Sequence, residues 1–192
     1  MARLAKIAGR TSAVILTAGV ALLLAAGIVA ADSVSDKNRL DRLFEQLRTA
    51  PDPETASTID QQIWQIWMSP GDPALARMMA GAVAAEQAGD LPRAMLDLGR
   101  IVANYPSYAE GWNQRATVEF ELGDYDDSLL DIDKVLAIEP RHFGALSGRA
   151  MIYLARGDRP KALSAILAAL AVHPFLAEKE LFPELAAPAT HA

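Results

Sequence analysis

Residues Gly123 to Pro140 read GDYDDSLLDIDKVLAIEP, and both ends of this stretch recur along the chain at one interval. Gly-Asp stands at 89–90, 123–124 and 157–158, and a proline closes an apolar run at 106, 140 and 174, so every step is 34 residues. A repeat of that length with helical periodicity inside it marks stacked supersecondary units, none of which buries its apolar face alone. The chain reads as an all-α solenoid rather than one closed core.

Aligning the segments that begin at Leu75, Ala109 and Phe143 reads every position three times. The fourth position is bulky (Met78, Trp112, Leu146) and the eighth is alanine (Ala82, Ala116, Ala150). Ala94, Ser128 and Ala162 are the small residues of the second helix, so the two helices of each hairpin can approach closely. Leu98, Ile132 and Ile166, followed by Ile101, Val135 and Ala169, fall at helical spacing and fill the space between units. Gly89, Gly123 and Gly157 suit a left-handed helix end, and Asp90, Asp124 and Asp158 suit the cap of the next helix. Pro106, Pro140 and Pro174 then end the second helices.

This order of large residue, small residue, Gly-Asp turn, small residue and closing proline resembles the tetratricopeptide repeat, most clearly in WNQRATVEFELGDYDDSLLDIDKVLAIEP. The resemblance implies a right-handed α-solenoid of helix-turn-helix units at 75–108, 109–142 and 143–176. Upstream, Leu40, Leu43, Phe44 and Leu47, then Ile59, Ile63, Ile66 and Trp67, mark two amphipathic helices around PDPE. They are expected to form a degenerate hairpin over 37–70 that caps the stack. Residues 177–192 are expected to give a short capping helix before Pro183 and a flexible tail.

The first residues carry Arg3, Lys6 and Arg10, and Thr11 to Ala31 contains no charge. That is a signal peptide with a small-residue site at Val29-Ala30-Ala31, or, at its length, a transmembrane anchor with its N-terminus inside. Both place residues 32–192 in the periplasm, soluble or tethered to the inner membrane, with an inner-membrane complex as partner if the segment is uncleaved. Three of the 18 basic residues and none of the 24 acidic ones lie in 1–31, which leaves a net charge of −9 on 32–192. Such a surface repels phosphate backbones and anionic lipid, so nucleic acid is a poor partner and a basic or neutral polypeptide a better one.

No catalytic, metal or cofactor set is expected. The chain has no cysteine, and its three histidines, His142, His173 and His191, share no ligand spacing. Asp124, Asp126, Asp127, Asp131 and Asp133 lack the central glycine and terminal glutamate of a calcium loop, and helix-start carboxylates already favour the macrodipole. Trp64 and Trp67 read as core or capping residues. Arg115 and Arg149 hold one position of successive units, with Glu119 a turn after Arg115. They are expected either to form a salt bridge to Glu119 or to grip a carboxylate or carbonyl of a bound peptide.

In proteins of the resembled family the first helices line a concave groove. Carried over position by position, that groove holds Met79, Val83, Glu86 and Gln87, then Glu110, Asn113, Thr117, Phe120 and Glu121, then Ser147, Met151, Leu154 and Ala155. It would be apolar with an acidic rim. The paired Lys and Asn that clamp a C-terminal carboxylate in chaperone-binding members are absent except for Asn113. The function expected is a non-enzymatic scaffold or assembly factor of the bacterial envelope. The alternative is an envelope hydrolase or small-ligand-binding protein using Glu119, Glu121 or Arg149.

Overall fold

The computed structural model describes residues 35–185, so the expected export segment at 1–31 and the last tail residues, 186–192, lie outside the described residues. The chain divides into two units at Leu40/Asp41, and the second unit holds the helical stack. The described residues contain eight α-helices and no strand. A helix over 35–48 (α1) is followed by α2 (Pro53–Trp67), α3 (Pro73–Gln87), α4 (Leu91–Asn104), α5 (Ala109–Leu122), α6 (Tyr125–Ile138), α7 (Phe143–Ala155) and α8 (Arg159–Val172). Helices α3/α4, α5/α6 and α7/α8 form antiparallel hairpins, α4 packs on α5 and α6 on α7, and α5 lies beside α7.

The hairpins close as the sequence chemistry requires. Gly123 adopts φ 83° and donates to the Phe120 carbonyl at 3.0 Å, while the Asp124 N–H donates to the Glu119 carbonyl at 2.8 Å. These paired bonds satisfy carbonyls that a helix end leaves open, at a φ that glycine adopts without strain. Asp90 and Asp158 cap α4 and α8, each accepting a backbone N–H at 3.2 Å. Asp124 differs from expectation and makes no side-chain cap. Asp126 and Asp127 already charge that first turn negatively, which opposes drawing in a third carboxylate.

Ala82, Ala116 and Ala150 face Ala94, Ser128 and Ala162, and all six are at most 4% exposed. The approach is close enough for the Ser128 hydroxyl to donate to the Ala116 backbone carbonyl at 2.7 Å. Leu98, Ile101, Ile132, Val135, Ile166 and Ala169 are buried between and within the hairpins, and each large aliphatic contributes about 1.5–3 kcal/mol by leaving water.

The N-terminal hairpin lies where an end cap does not. The Trp67 carbonyl of α2 accepts from the Tyr108 hydroxyl in the α4–α5 loop at 2.8 Å. The Trp67 ring stacks on His142 at 4.0 Å, and Trp64 meets Phe143 edge-on at 5.5 Å, both in the α6–α7 junction. Further back along α2, Pro53, Ser57 and Asp60 share a cavity with His173 and Phe175 beyond α8. Helix α2 thus straps the inter-repeat junctions, running from the third hairpin back towards the first. From α1, Phe44 packs on Trp67 and Phe143, and Asp41 pairs with Arg141 at 2.7 Å. An apolar helix face must be covered, and the aromatic junction covers this one.

After α8 the chain forms two 3-10 turns, Ala177–Leu181 and Pro183–Leu185, rather than one helix. Pro183 interrupts any longer helix, and Phe182, 1% exposed, plugs into the last hairpin while Arg159 holds Glu184 through two hydrogen bonds.

The strap depends on a missing side chain. A Cβ at residue 144 would stand 2.8 Å from the Trp64 ring, closer than real Cβ contacts come. Gly144→Ala is therefore expected to lower stability by about 1–3 kcal/mol, through displacement of a ring in a filled site. Urea denaturation followed by tryptophan fluorescence measures it.

Candidate functional site in the groove between α5 and α7

Five of the residues expected to face a groove do come together. Asn113, Thr117 and Phe120 of α5 and Ser147 and Met151 of α7 line one cavity of about 170 Å³, with Gly144 and Gly148 in its wall and Glu178 at one end. Their depth follows the helical register. Asn113 and Ser147, like Met79 one repeat earlier, are buried and form the floor. Val83, Met151, Glu86, Phe120 and Leu154 are half-buried, Thr117 is exposed, and Gln87, Glu121 and Ala155 are exposed at the rim.

The first hairpin contributes a separate depression. Met79 and Val83 line it with Met68 from the end of α2, Ala76, Ala80, Ala84 and Gln87. Met79 is 2% exposed, so it is core more than contact surface. Burial pushes the Glu86 carboxyl above its ordinary range, with Glu121 and Glu110 adding to the effect. Desolvation and the neighbouring carboxyl groups both disfavour its charged form.

Glu110, placed by sequence on that rim, is instead buried beneath it, 1% exposed. Its carboxylate accepts from the Asn113 and Gln114 amides at 3.1 and 2.7 Å and meets the His142 Nε2 at 3.0 Å. The Ala145 backbone N–H donates to His142 Nδ1 at 3.1 Å, so Nδ1 carries the lone pair and Nε2–H is the donor to Glu110. One imidazole therefore caps α7, holds a carboxylate in the first turn of α5 and stacks on Trp67 of the strap. Nothing in the pattern of repeats signals this junction, because Glu110 and His142 have no counterparts in the other units.

Neither arginine enters the groove. Arg115 meets Asp131 on the facing helix through two hydrogen bonds, at 2.6 and 2.8 Å, and Glu119 lies further off at 3.5 Å. Arg149 pairs with Asp133 of the preceding repeat, and Arg156 with Asp126. The expected salt bridge to Glu119 is present for Arg115 at 3.5 Å, and Asp131 of the facing helix is the closer partner, meeting the guanidinium fork with both oxygens. Three members of the acidic run are engaged by arginine.

The three residues of the hydrolase alternative do not converge. Arg149 is paired, Glu121 is exposed, and Glu119 is buried and lines neither groove cavity. Burial pushes the Glu119 carboxyl up to about 7, with Asp131 adding to it and Arg115 opposing. One of its oxygens is buried with no hydrogen-bond partner among the described residues.

A curated relative, the TPR repeat-containing protein of Rhizobium etli, is 42% identical over 88 residues. The three hairpins are similar to the repeats for which that relative is named. The match spans 46% of this chain and only 43% of the relative's length. Two crystal structures of MamA align with this chain at 19% and 20% identity and a TM-score of 0.48 each, covering 74% and 80% of it and 82% and 81% of theirs. No protein-family model matches the chain.

The Glu119 site gives a signed prediction for these repeats. A carboxyl whose folded pKa of about 7 exceeds its ordinary 4.5 binds its proton more tightly when folded, so stability is greatest below pH 4.5 and falls as pH rises towards 7. Glu119→Gln is expected to remove that slope and to raise stability at pH 8 by on the order of 2 kcal/mol, with little change at pH 4.5. Denaturant titrations of both proteins at several pH values check it.

Proposed function

We propose that the protein is an exported, non-enzymatic adaptor of the bacterial envelope that holds a partner polypeptide in the groove between α5 and α7. The observation that carries this reading is the groove's chemistry. Its walls are largely apolar, Asn113 and Ser147 on its floor are held by hydrogen bonds, and the charged side chain that lines it is the carboxyl group of Glu178 at one end. A surface of that kind suits an extended or helical segment with apolar anchors and some positive charge.

Export is supported by Arg3, Lys6 and Arg10 ahead of the uncharged run Thr11 to Ala31. No helix of the described residues is long and apolar enough to cross a membrane. A cleaved signal gives a soluble periplasmic protein, and an uncleaved one tethers the groove to an inner-membrane complex.

The test is a crosslinked pull-down from the protein's own envelope with the full chain as bait, beside the variant Asn113→Ala, Phe120→Ala, Met151→Glu. A partner recovered by the wild type and lost by the folded variant is the expected result. Identical recoveries, or none from either, would remove the groove as the binding surface, and turnover of a substrate by the pure protein would overturn the adaptor reading itself. Intact mass of the mature chain separates the cleaved form from the anchored one.

A further inference from the structure

The strap creates a second cavity that the repeats alone would not have. It encloses about 320 Å³ between α2, the first turn of α7 and the turn Ala177–Leu181. Trp64, Phe143 and Phe175 supply aromatic walls, and Asp60 and Glu178 supply two carboxyl groups. No lysine or arginine lines it. His173, also in the wall, accepts the Phe175 N–H at Nδ1, and burial lowers its pKa, so it brings no positive charge. Lys179 sits over the Phe175 ring at 5.8 Å but lines a different cavity, with Leu170, Pro174 and Phe182.

Asp60 stands apart from the other interior carboxyl groups in having no cationic partner: Asp131 and Glu119 have Arg115, though one Glu119 oxygen is also unbonded, and Glu110 has His142 and two amides. The Asp60 Oδ1 is buried with no hydrogen-bond partner among the described residues. Burial pushes this carboxyl up to about 6, the Trp64 N–H opposing and Glu178 adding to the rise. A desolvated carboxyl facing a second one is costly until a cation arrives, and aromatic faces add to the attraction for that cation. The cavity also shares Gly144, Ser147 and Glu178 with the apolar groove, so one ligand can occupy both.

We propose that this cavity receives a lysine or arginine side chain of the same polypeptide whose apolar side chain fills the groove between α5 and α7. The inference rests on the adaptor reading and specifies its ligand: an apolar anchor followed closely by a cation. In an extended segment, side chains two residues apart project from one face about 7 Å apart, a step suited to adjoining cavities. Glu178 stands at the boundary between the two and is placed to meet the cation first.

The experiment uses the full chain in mild detergent and a positional-scanning library of octapeptides, with all residue types at each position. Expected is selection of Leu, Met or Phe at one position together with Lys or Arg nearby. The selected lysine peptide should bind about tenfold tighter than its norleucine analogue, as a desolvated ion pair over aromatic rings allows. Glu178→Gln and, separately, Asp60→Asn should cut that preference to about twofold or less while leaving apolar selection intact. Glu178 lies on a surface turn, so its variant remains informative if Asp60→Asn unfolds, which circular dichroism would show. Apolar selection lost on Met151→Glu, with no cationic preference at any spacing, would overturn this inference and leave the adaptor reading standing. No selection of any peptide would overturn both. Butylammonium bound as tightly as the peptide, and unaffected by Met151→Glu, would assign the cavity to free amines and contradict the proposal.

Discussion

The structure depends on one buried contact, the imidazole of His142 held between the Glu110 carboxylate and the Trp67 ring. Its Nδ1 accepts a backbone N–H in the first turn of α7, which leaves Nε2–H to donate to Glu110. Glu110 sits in the first turn of α5, where the helix dipole favours an anion, and two amides take up its remaining capacity. A buried charge is tolerated only when so completely bonded. Three helices distant in sequence meet there, and removing any member strands a polar group in the interior.

The consequence is mechanical as well as local. Stacked repeats ordinarily touch only their neighbours, so their stability is close to a sum of unit and interface terms. Helix α2 crosses that stack instead, touching the α4–α5 loop, the α6–α7 junction and the chain beyond α8. It couples the first repeat to the last, and it occupies one edge of the concave face. The part left open is the floor between α5 and α7, bordered by the strap on one side and by Glu178 at its end. Stability and the shape of the binding surface come from the same packing.

The repeats are legible in the sequence because their constraints are local and recur. A left-handed glycine, an aspartate after it and an alanine against another small residue leave the same marks at each 34-residue step, and Gly123, Asp90 and Ala116 stand where those marks place them. The strap is not legible in that way. Ile59, Ile63 and Trp67 declare that one face of α2 is covered, but an amphipathic face does not name its cover. Arg115 is out of place at an apolar position, and i, i+4 reasoning finds Glu119, yet its closer partner lies sixteen residues away on the facing helix, beyond the reach of that reasoning. Asp60 gives only the weak signal of a charge one turn before Trp64, and its isolation is visible only once α7 and the last turns close around it.

The position of α2 is the central claim, and a distance measures it. The chain has no cysteine, so Ser57→Cys and Ala177→Cys give a clean pair of spin labels on two residues that line one cavity. Pulsed electron resonance of the full chain should give a single short separation, near the lower limit of the method. Were α2 stacked ahead of α3 as an end unit, three hairpins would stand between the labels, each helix layer adding about 10 Å. A long separation of that kind would contradict the strap, and with it the cavity and the bounded groove.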